Sequence, residues 1–411
     1  MANHTNSRTS LRRMFVRTTL IGVMAAAAPW AGALAQSVQP FKIGILTDMS
    51  GAAADLSGTG TASSIKMAIE DFGGNVLGRP IQLLEGDHLS KPDVGLALAR
   101  QWYDEGTNAI FDVGITSLAV AVQDLAKEKK KAVVFLSSSG SDLTGKNCSP
   151  NGIHWTYNSY SQAYGVVDYI IRKGGLSWYF LSIDYVLGRN IQRDATAMIT
   201  AANGTVVGDS KHVWETKDYS SDLLKAQSSG AQVIGLATTT IHAANIVKQA
   251  DEFGIRPRQT VVALSLTLHD TKAVGLATAQ GLVETSAYYW DQTDATRAFA
   301  KRYFARVGKM PNMIQASAYG ALTHYLNAVK ATGSSDTAEV MAKMKTTPIN
   351  DFMTNNGTIR ADGRVLRDMY VLEVKKPEES SGDWDLYKVV APIPRERAFA
   401  PADPAVCSLV H

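Results

Sequence analysis

The feature that most constrains this chain is a long alternation of short apolar runs with amphipathic stretches. Phe41–Thr47 is almost wholly apolar, and a 3.6-residue periodicity follows around Thr59–Phe72. The alternation continues with strand Ile81–Glu85, helix Asp93–Glu105, strand Ala109–Val113, helix Ser117–Lys129 and strand Ala132–Leu136. A second series begins near Tyr157. It comprises helix Ser161–Lys173, strand Trp178–Ser182, helix Arg189–Ala202, strand Thr205–Lys211, helix Tyr219–Ser229, strand Gln232–Leu236, helix His242–Phe253 and strand Thr260–Leu264. Strands that are apolar on both faces belong in parallel sheets covered by helices on each side. Two such series in tandem predict an α/β protein of two doubly wound parallel-sheet lobes. Such sheets bind ligands beyond the carboxyl ends of their strands, so the cleft between the lobes is the expected site. After Leu282–Tyr288 come two helices without an intervening strand, Thr293–Val307 and Met313–Thr332, then strands Arg367–Val374 and Trp384–Val390. Ala391–His411 carries Pro392, Pro394, Pro401 and Pro404 and is expected to be an extended strap.

The first 35 residues stand outside this pattern. Arg8, Arg12, Arg13 and Arg17 give a basic start without an acid, Leu20–Trp30 is apolar, and Ala33-Leu34-Ala35 is a small-x-small cleavage site. Export is therefore expected, by the secretory or the twin-arginine route, with Gln36 as the mature N-terminus. The apolar run is shorter than the roughly 20 residues a spanning helix needs. Removing four arginines and no acid takes the formal charge from +3 to −1. A nearly neutral, soluble protein gives no reason to expect nucleic acid as a partner.

Signals for chemistry are sparse. No HExxH, P-loop or GxSxG occurs, and Gly58-Thr59-Gly60 lacks the third glycine of a dinucleotide loop, Ser63 standing in its place. Two cysteines cannot form a zinc cluster, and the histidines include no pair spaced for metal. His154, His242 and His324 are expected to be hydrogen-bonded structural residues. These readings predict no cofactor, no metal and no enzymatic activity. The loops after strands are more informative. Gly114-Ile115-Thr116-Ser117 runs from a strand straight into a helix, where Ser117 can cap and the free N–H groups can hold an anion. Ser137–Ser141 brings several hydroxyls to the same end of the same sheet. Together they could bind a carboxylate without arginine. Two or three charge-assisted hydrogen bonds of about 1.5–3 kcal/mol each, with a buried ring, approach micromolar affinity. The same residues would also serve as ordinary caps and turn formers. Tyr157 and Tyr185 fall in loops facing the expected cleft and can stack on a planar ligand, whereas Trp155 and Trp290 suit hinge packing.

Several segments resemble a known family. Phe41–Gly51 (FKIGILTDMSG) is similar to the opening strand and loop of the periplasmic binding proteins of branched-chain amino-acid ABC transporters, the leucine-binding-protein family. Lys66–Asp71 resembles the family's first helix, and Ala250–Gly254 (ADEFG) one of its helix ends. Cys148-Ser149-Pro150, His154–Tyr157 and Tyr288–Asp291 resemble the subgroup that captures aromatic carboxylates. The resemblance implies the type I arrangement: two α/β lobes, residues 41–156 with 286–362 and 157–285 with 363–390, joined by three crossing strands. It also implies a ligand held by Thr116 and Ser117, by Ser138 and Ser139, and by Tyr157, Tyr185 and Thr239. Leu56 falls where branched-chain binders often carry an aromatic ring. The amino-acid binders hold the ligand ammonium with an acid after the strand Thr260–Leu264, but here that loop reads Ser265-Leu266-Thr267-Leu268. An ammonium without its counter-charge would cost several kcal/mol, so an aromatic or keto carboxylate is expected.

The implied function is a periplasmic solute receptor, acting as a monomer, that delivers a small carboxylate to a membrane ABC permease. A sensory receptor of the same fold is the alternative, and an exported hydrolase using a serine in Ser137–Ser141 is the rival from another class. An oxidising compartment further predicts a disulfide between Cys148 and Cys407, pinning the C-terminal strap.

Overall fold

The computed structural model describes residues 38–411 apart from Ala52, Thr239 and Pro257. The signal at 1–35 and the candidate Thr239 lie outside the described residues. In the first lobe β1 (Phe41–Thr47) leads to α1 (Gly58–Asp71), then β2 (Asn75–Val76) and β3 (Arg79–Asp87). α2 (Pro92–Asp104), β4 (Ala109–Asp112), α3 (Thr116–Glu128), β5 (Ala132–Phe135) and β6 (Gly152–His154) follow. The sheet order is β2-β3-β1-β4-β5-β6, parallel except for the short β2. Ile43 pairs with Leu83 on one side and Ala109 on the other. The chain winds first one way from β1 and then the other. The loops after β1 and β4 therefore diverge, and a crevice opens between them.

The second lobe repeats the scheme. α4 (Ser159–Arg172), β7 (Ser177–Ile183), α5 (Val186–Ala201), β8 (Thr205–His212), α6 (Ser220–Ser228), β9 (Val233–Ala237), α7 (Thr240–Glu252) and β10 (Thr260–Ala263) build a parallel sheet of order β10-β9-β7-β8. Its crevice lies between β7 and β9. α4 starts at a capping box: Ser161 N–H donates to Asn158 Oδ1 at 2.9 Å, and Asn158 N–H donates to Ser161 Oγ at 3.0 Å. Two short helices, α8 (Leu268–Val274) and α9 (Leu276–Ala279), then lead into β11 (Val283–Ser286).

The chain returns to the first lobe with α10 (Asp294–Val307), α11 (Met313–Thr332) and α12 (Thr337–Thr346). Arg302 and Arg306 of α10 pair with Asp71 and Glu70 at the end of α1. A small hairpin, β12 (Thr358–Ile359) with β13 (Val365–Leu366), precedes β14 (Met369–Val374) and β15 (Tyr387–Ile393), which join β11 in an antiparallel sheet. The lobes are stitched where the crossings meet. His154 N–H donates to Gly363 O at 2.9 Å, and the buried Arg364 donates to Tyr157 O at 3.1 Å.

Both series of strands and helices expected from periodicity are present. β6, the hairpin, α8, α9 and α12 were not expected. Most are too short to show a period, and α12 is announced only by its cap, Asp336 accepting from Glu339 N–H. Ala391–Ile393 belong to β15, so the strap is shorter than composition suggests. Beyond it Arg397 reaches Asp168 of α4, and Cys407 is disulfide-bonded to Cys148, as expected.

Candidate functional site

The carboxyl ends of both parallel sheets face one cavity of about 480 Å3. That is the size of a small-molecule site. From the first lobe the wall includes Leu56, Thr116, Ser117, Ser137 and Ser139, from the first crossing Tyr157, and from the second lobe Tyr185. Six of the residues singled out from sequence are therefore together.

The loop Gly114–Ser117, expected from sequence to hold the carboxylate, runs into α3. Ile115 is the residue preceding the helix, it is extended, and no side chain caps the helix. The ladder starts only with Ala119 N–H donating to Ile115 O at 2.7 Å. The N–H groups of the first turn are thus free of helical partners, and their dipoles suit an anion. This corrects one expectation. Ser117 is not the cap but an exposed residue of the first turn that lines the cavity.

The second loop is held from behind. Tyr157 Oη donates to Ser137 O at 2.8 Å, His154 Nε2 donates to Ser138 O at 2.7 Å, and Ser159 N–H donates to Ser139 O at 2.8 Å. All three carbonyls are engaged by the first crossing segment, which leaves the serine hydroxyls to point elsewhere. The backbone alternates, so Ser137 and Ser139 line the cavity while Ser138 is fully buried with its hydroxyl unpartnered. Sequence reasoning placed Ser138 on the wall. The structure places Ser137 there instead, because consecutive side chains of an extended segment face opposite ways. The two loops touch at Gly140, where a Cβ would stand 2.4 Å from the Thr116 methyl. Tyr157 contributes its ring, since its hydroxyl is committed and burial pushes its phenol pKa up.

Other wall residues carried no sequence signal strong enough to single them out. Trp214 follows β8, and Ile241 lies in the first turn of α7. They are 47% and 53% exposed. Trp214 meets Tyr185 and His242 edge-on, with ring centroids 6.0 and 5.5 Å apart. Behind them Tyr219 Oη donates to Thr216 O at 2.9 Å and is hydrogen-bonded to His242 Nδ1, and burial lowers the His242 pKa to about 4, so the backing is neutral. His88, after β3, is buried on the first-lobe wall. The available signal was position: each of these follows a parallel strand at its carboxyl end. Trp155 and Trp290 pack at the hinge as expected, and His154 and His324 bond backbone carbonyls.

Ser265 lines the cavity, but Ser265–Leu268 brings no acid. Asp270 accepts from Thr267 N–H at 2.8 Å in the capping box of α8. The carboxylate on the wall is Asp48, whose oxygens already accept from Gly51 N–H, Ala53 N–H and Ser90 Oγ at 2.8, 2.9 and 2.5 Å. Among the described residues no group of His, Cys, Asp or Glu could hold a metal, and no helix is long and apolar enough to cross a membrane.

The family model described as periplasmic binding protein matches residues 40–382 of this chain. The chain belongs to that family. A periplasmic binding protein from Burkholderia mallei shares 42% identity at a TM-score of 0.85, covering 88% of this chain and 96% of its own. A branched-chain amino-acid ABC transporter periplasmic ligand-binding protein from Burkholderia xenovorans LB400 shares 41% at 0.82, covering 88% and 97%. A solute-binding protein of an ABC transporter from Rhodopseudomonas palustris BisB5, solved with 3,4-dihydroxybenzoic acid, has the same fold at 21% identity and a TM-score of 0.78, covering 87% and 98%. The fold of this periplasmic binding protein is the type I arrangement of its neighbours: two parallel-sheet lobes with the cleft between them. These relatives are binding proteins, and the cleft described here is a place to hold a solute.

Proposed function

We propose that this protein captures a small aromatic carboxylate in its cleft and delivers it to the permease of an ABC transporter. One observation carries the reading: two unlike walls face each other across the cavity. One offers the uncapped start of α3 with the hydroxyls of Ser117 and Ser139, and the other offers Tyr185, Trp214 and Ile241. An anionic head satisfies the first wall and an apolar body the second. The binding of 3,4-dihydroxybenzoic acid by the Rhodopseudomonas protein supports such a ligand in this fold.

In this reading the first lobe is residues 41–156 with 286–362 and the second is 157–285 with 363–393, the strap beginning at 394. The carboxylate docks on the first lobe, and rotation about the crossings brings Trp214 and Ile241 over the ring. Closure is driven by contacts made only in the closed state, since equal affinity for both states would shift nothing. Residues 1–35 would direct the chain to the periplasm and be removed.

A second reading has one observation in its favour. Asp48 is a wall carboxylate that could meet the ammonium of an α-amino acid, in keeping with the name of the Burkholderia xenovorans relative. Three donors already occupy it, which favours the acid without an ammonium. Titration calorimetry with benzoate, 4-hydroxybenzoate and leucine separates the two. Binding of either aromatic acid without leucine is the expected result, and leucine binding without the aromatic acids would overturn it.

A further inference from the structure

The cleft floor holds an unpartnered donor beside an acceptor, close to the carboxylate loop. His88 is 1% exposed and lines the cavity. Its Nδ1 accepts from Ser90 N–H at 3.2 Å, so the proton of the neutral ring is on Nε2. Burial lowers the His88 pKa and keeps the ring neutral. Nε2 has no hydrogen-bond partner among the described residues. Ser137, also on the wall, is bound the other way. Its N–H donates to Asp112 Oδ1 at 3.1 Å, so that oxygen is an acceptor, and the Ser137 hydroxyl proton goes to it as well. Ser137 Oγ is left with lone pairs only.

Gly114 joins the two. A Cβ on it would stand 2.9 Å from Ser137 Oγ and 3.9 Å from His88 Nε2. With only hydrogen there, the space in front of Gly114 opens onto one donor and one acceptor together. Two residues further on begin the free N–H groups of α3. The approach to Gly114 is set by unusual backbone: Asp112 and Val113 have φ of +83° and +60°, conformations a β-branched residue rarely adopts.

We infer that this corner recognises a hydroxyl on the atom next to the ligand's carboxylate-bearing carbon or on that carbon itself. The preferred substrates are then 2-hydroxy acids, either α-hydroxy or ortho-hydroxy aromatic. The ligand hydroxyl donates to Ser137 Oγ and accepts from His88 Nε2–H while the carboxylate sits on α3. A keto oxygen can accept from His88 but meets the lone pairs of Ser137. A bare C–H leaves the His88 donor unsatisfied, which is the strong form of discrimination. The inference rests on the carboxylate-capture reading above.

The test is calorimetry on the mature protein with two pairs of acids, mandelate against phenylacetate and salicylate against benzoate. In wild type the hydroxylated member of at least one pair should bind about tenfold tighter, equivalent to about 1.4 kcal/mol. His88→Leu and Ser137→Ala should each shrink that ratio to within about twofold. Equal affinities within both pairs in wild type would overturn the inference and leave carboxylate capture standing. A ratio that survives His88→Leu would also overturn it. If no acid of either pair binds, the capture reading itself fails. Should His88→Leu not fold, the wild-type ratios and Ser137→Ala decide the matter.

Discussion

Trp214 offers the sharpest check on lobe closure over a ring. An indole buries about 150–250 Å2 when fully covered. Trp214 is 47% exposed. About 100 Å2 therefore remains to be covered when the ligand and the first lobe close on it, which at about 25 cal/mol per Å2 is about 2.5 kcal/mol. Part of that area is retained by the β-carbon, so Trp214→Ala should weaken aromatic-acid binding by about 10- to 60-fold. The free protein should barely notice. Trp214 leans edge-on against Tyr185 and His242 but belongs to none of the core clusters, so its melting temperature should move by no more than about 2 °C. Titration calorimetry gives the affinity, and the heat-capacity change on binding should become less negative in the variant. An unchanged Kd would refute the assignment of Trp214 to the ligand wall. A large fall in melting temperature without ligand would show that the residue holds the lobe together instead.

Two further predictions concern the frame. Cys148 and Cys407 are 259 residues apart in sequence, and a chain-entropy estimate for so long a loop is about 5 kcal/mol, an upper figure. The double Cys→Ser variant should melt lower than oxidised wild type by up to about 6 °C, and identical melting would show that the bond adds nothing. Glu284 is buried on β11, accepts from Tyr387 Oη at 2.9 Å, and is held by burial well above its ordinary 4.5. The unfolded chain releases this proton near the ordinary value while the folded chain keeps it, so stability present below that pH is lost as pH rises toward the folded pKa. Glu284→Gln keeps an acceptor for Tyr387 and removes the titration. Urea unfolding should therefore show the variant gaining on wild type between pH 5 and pH 8, and parallel profiles would contradict this.

What could be read in advance divides along a physical line. Strands such as Phe41–Thr47 and Ala109–Asp112 are apolar on both faces, and α2 and α3 carry a clear helical period. Two doubly wound lobes follow from those patterns alone. Elements of two to four residues, such as β6 and the β12–β13 hairpin, have no room to display a period and were invisible. Within the cleft, Thr116, Ser117, Ser139 and Tyr185 could be singled out because each follows a strand whose end was already located, and Tyr157 because it opens the second series. Trp214, Ile241 and His88 were passed over although they occupy equivalent positions. A lone ring after a strand looks the same in sequence whether it faces a core, solvent or a ligand.

The order of residues along the chain therefore determined the layers, the winding and the end of each sheet at which ligand is met, because these depend on periodicity and on the short reach of each connection. It also determined that no acid follows β10 within Ser265–Leu268. Only the folded molecule decided which serine of Ser137–Ser139 looks into the cleft, that Ser117 is free rather than capping, and that His88 and Ser137 stand on either side of Gly114. Those outcomes depend on the direction of single side chains and on contacts between segments tens of residues apart. No local pattern encodes them.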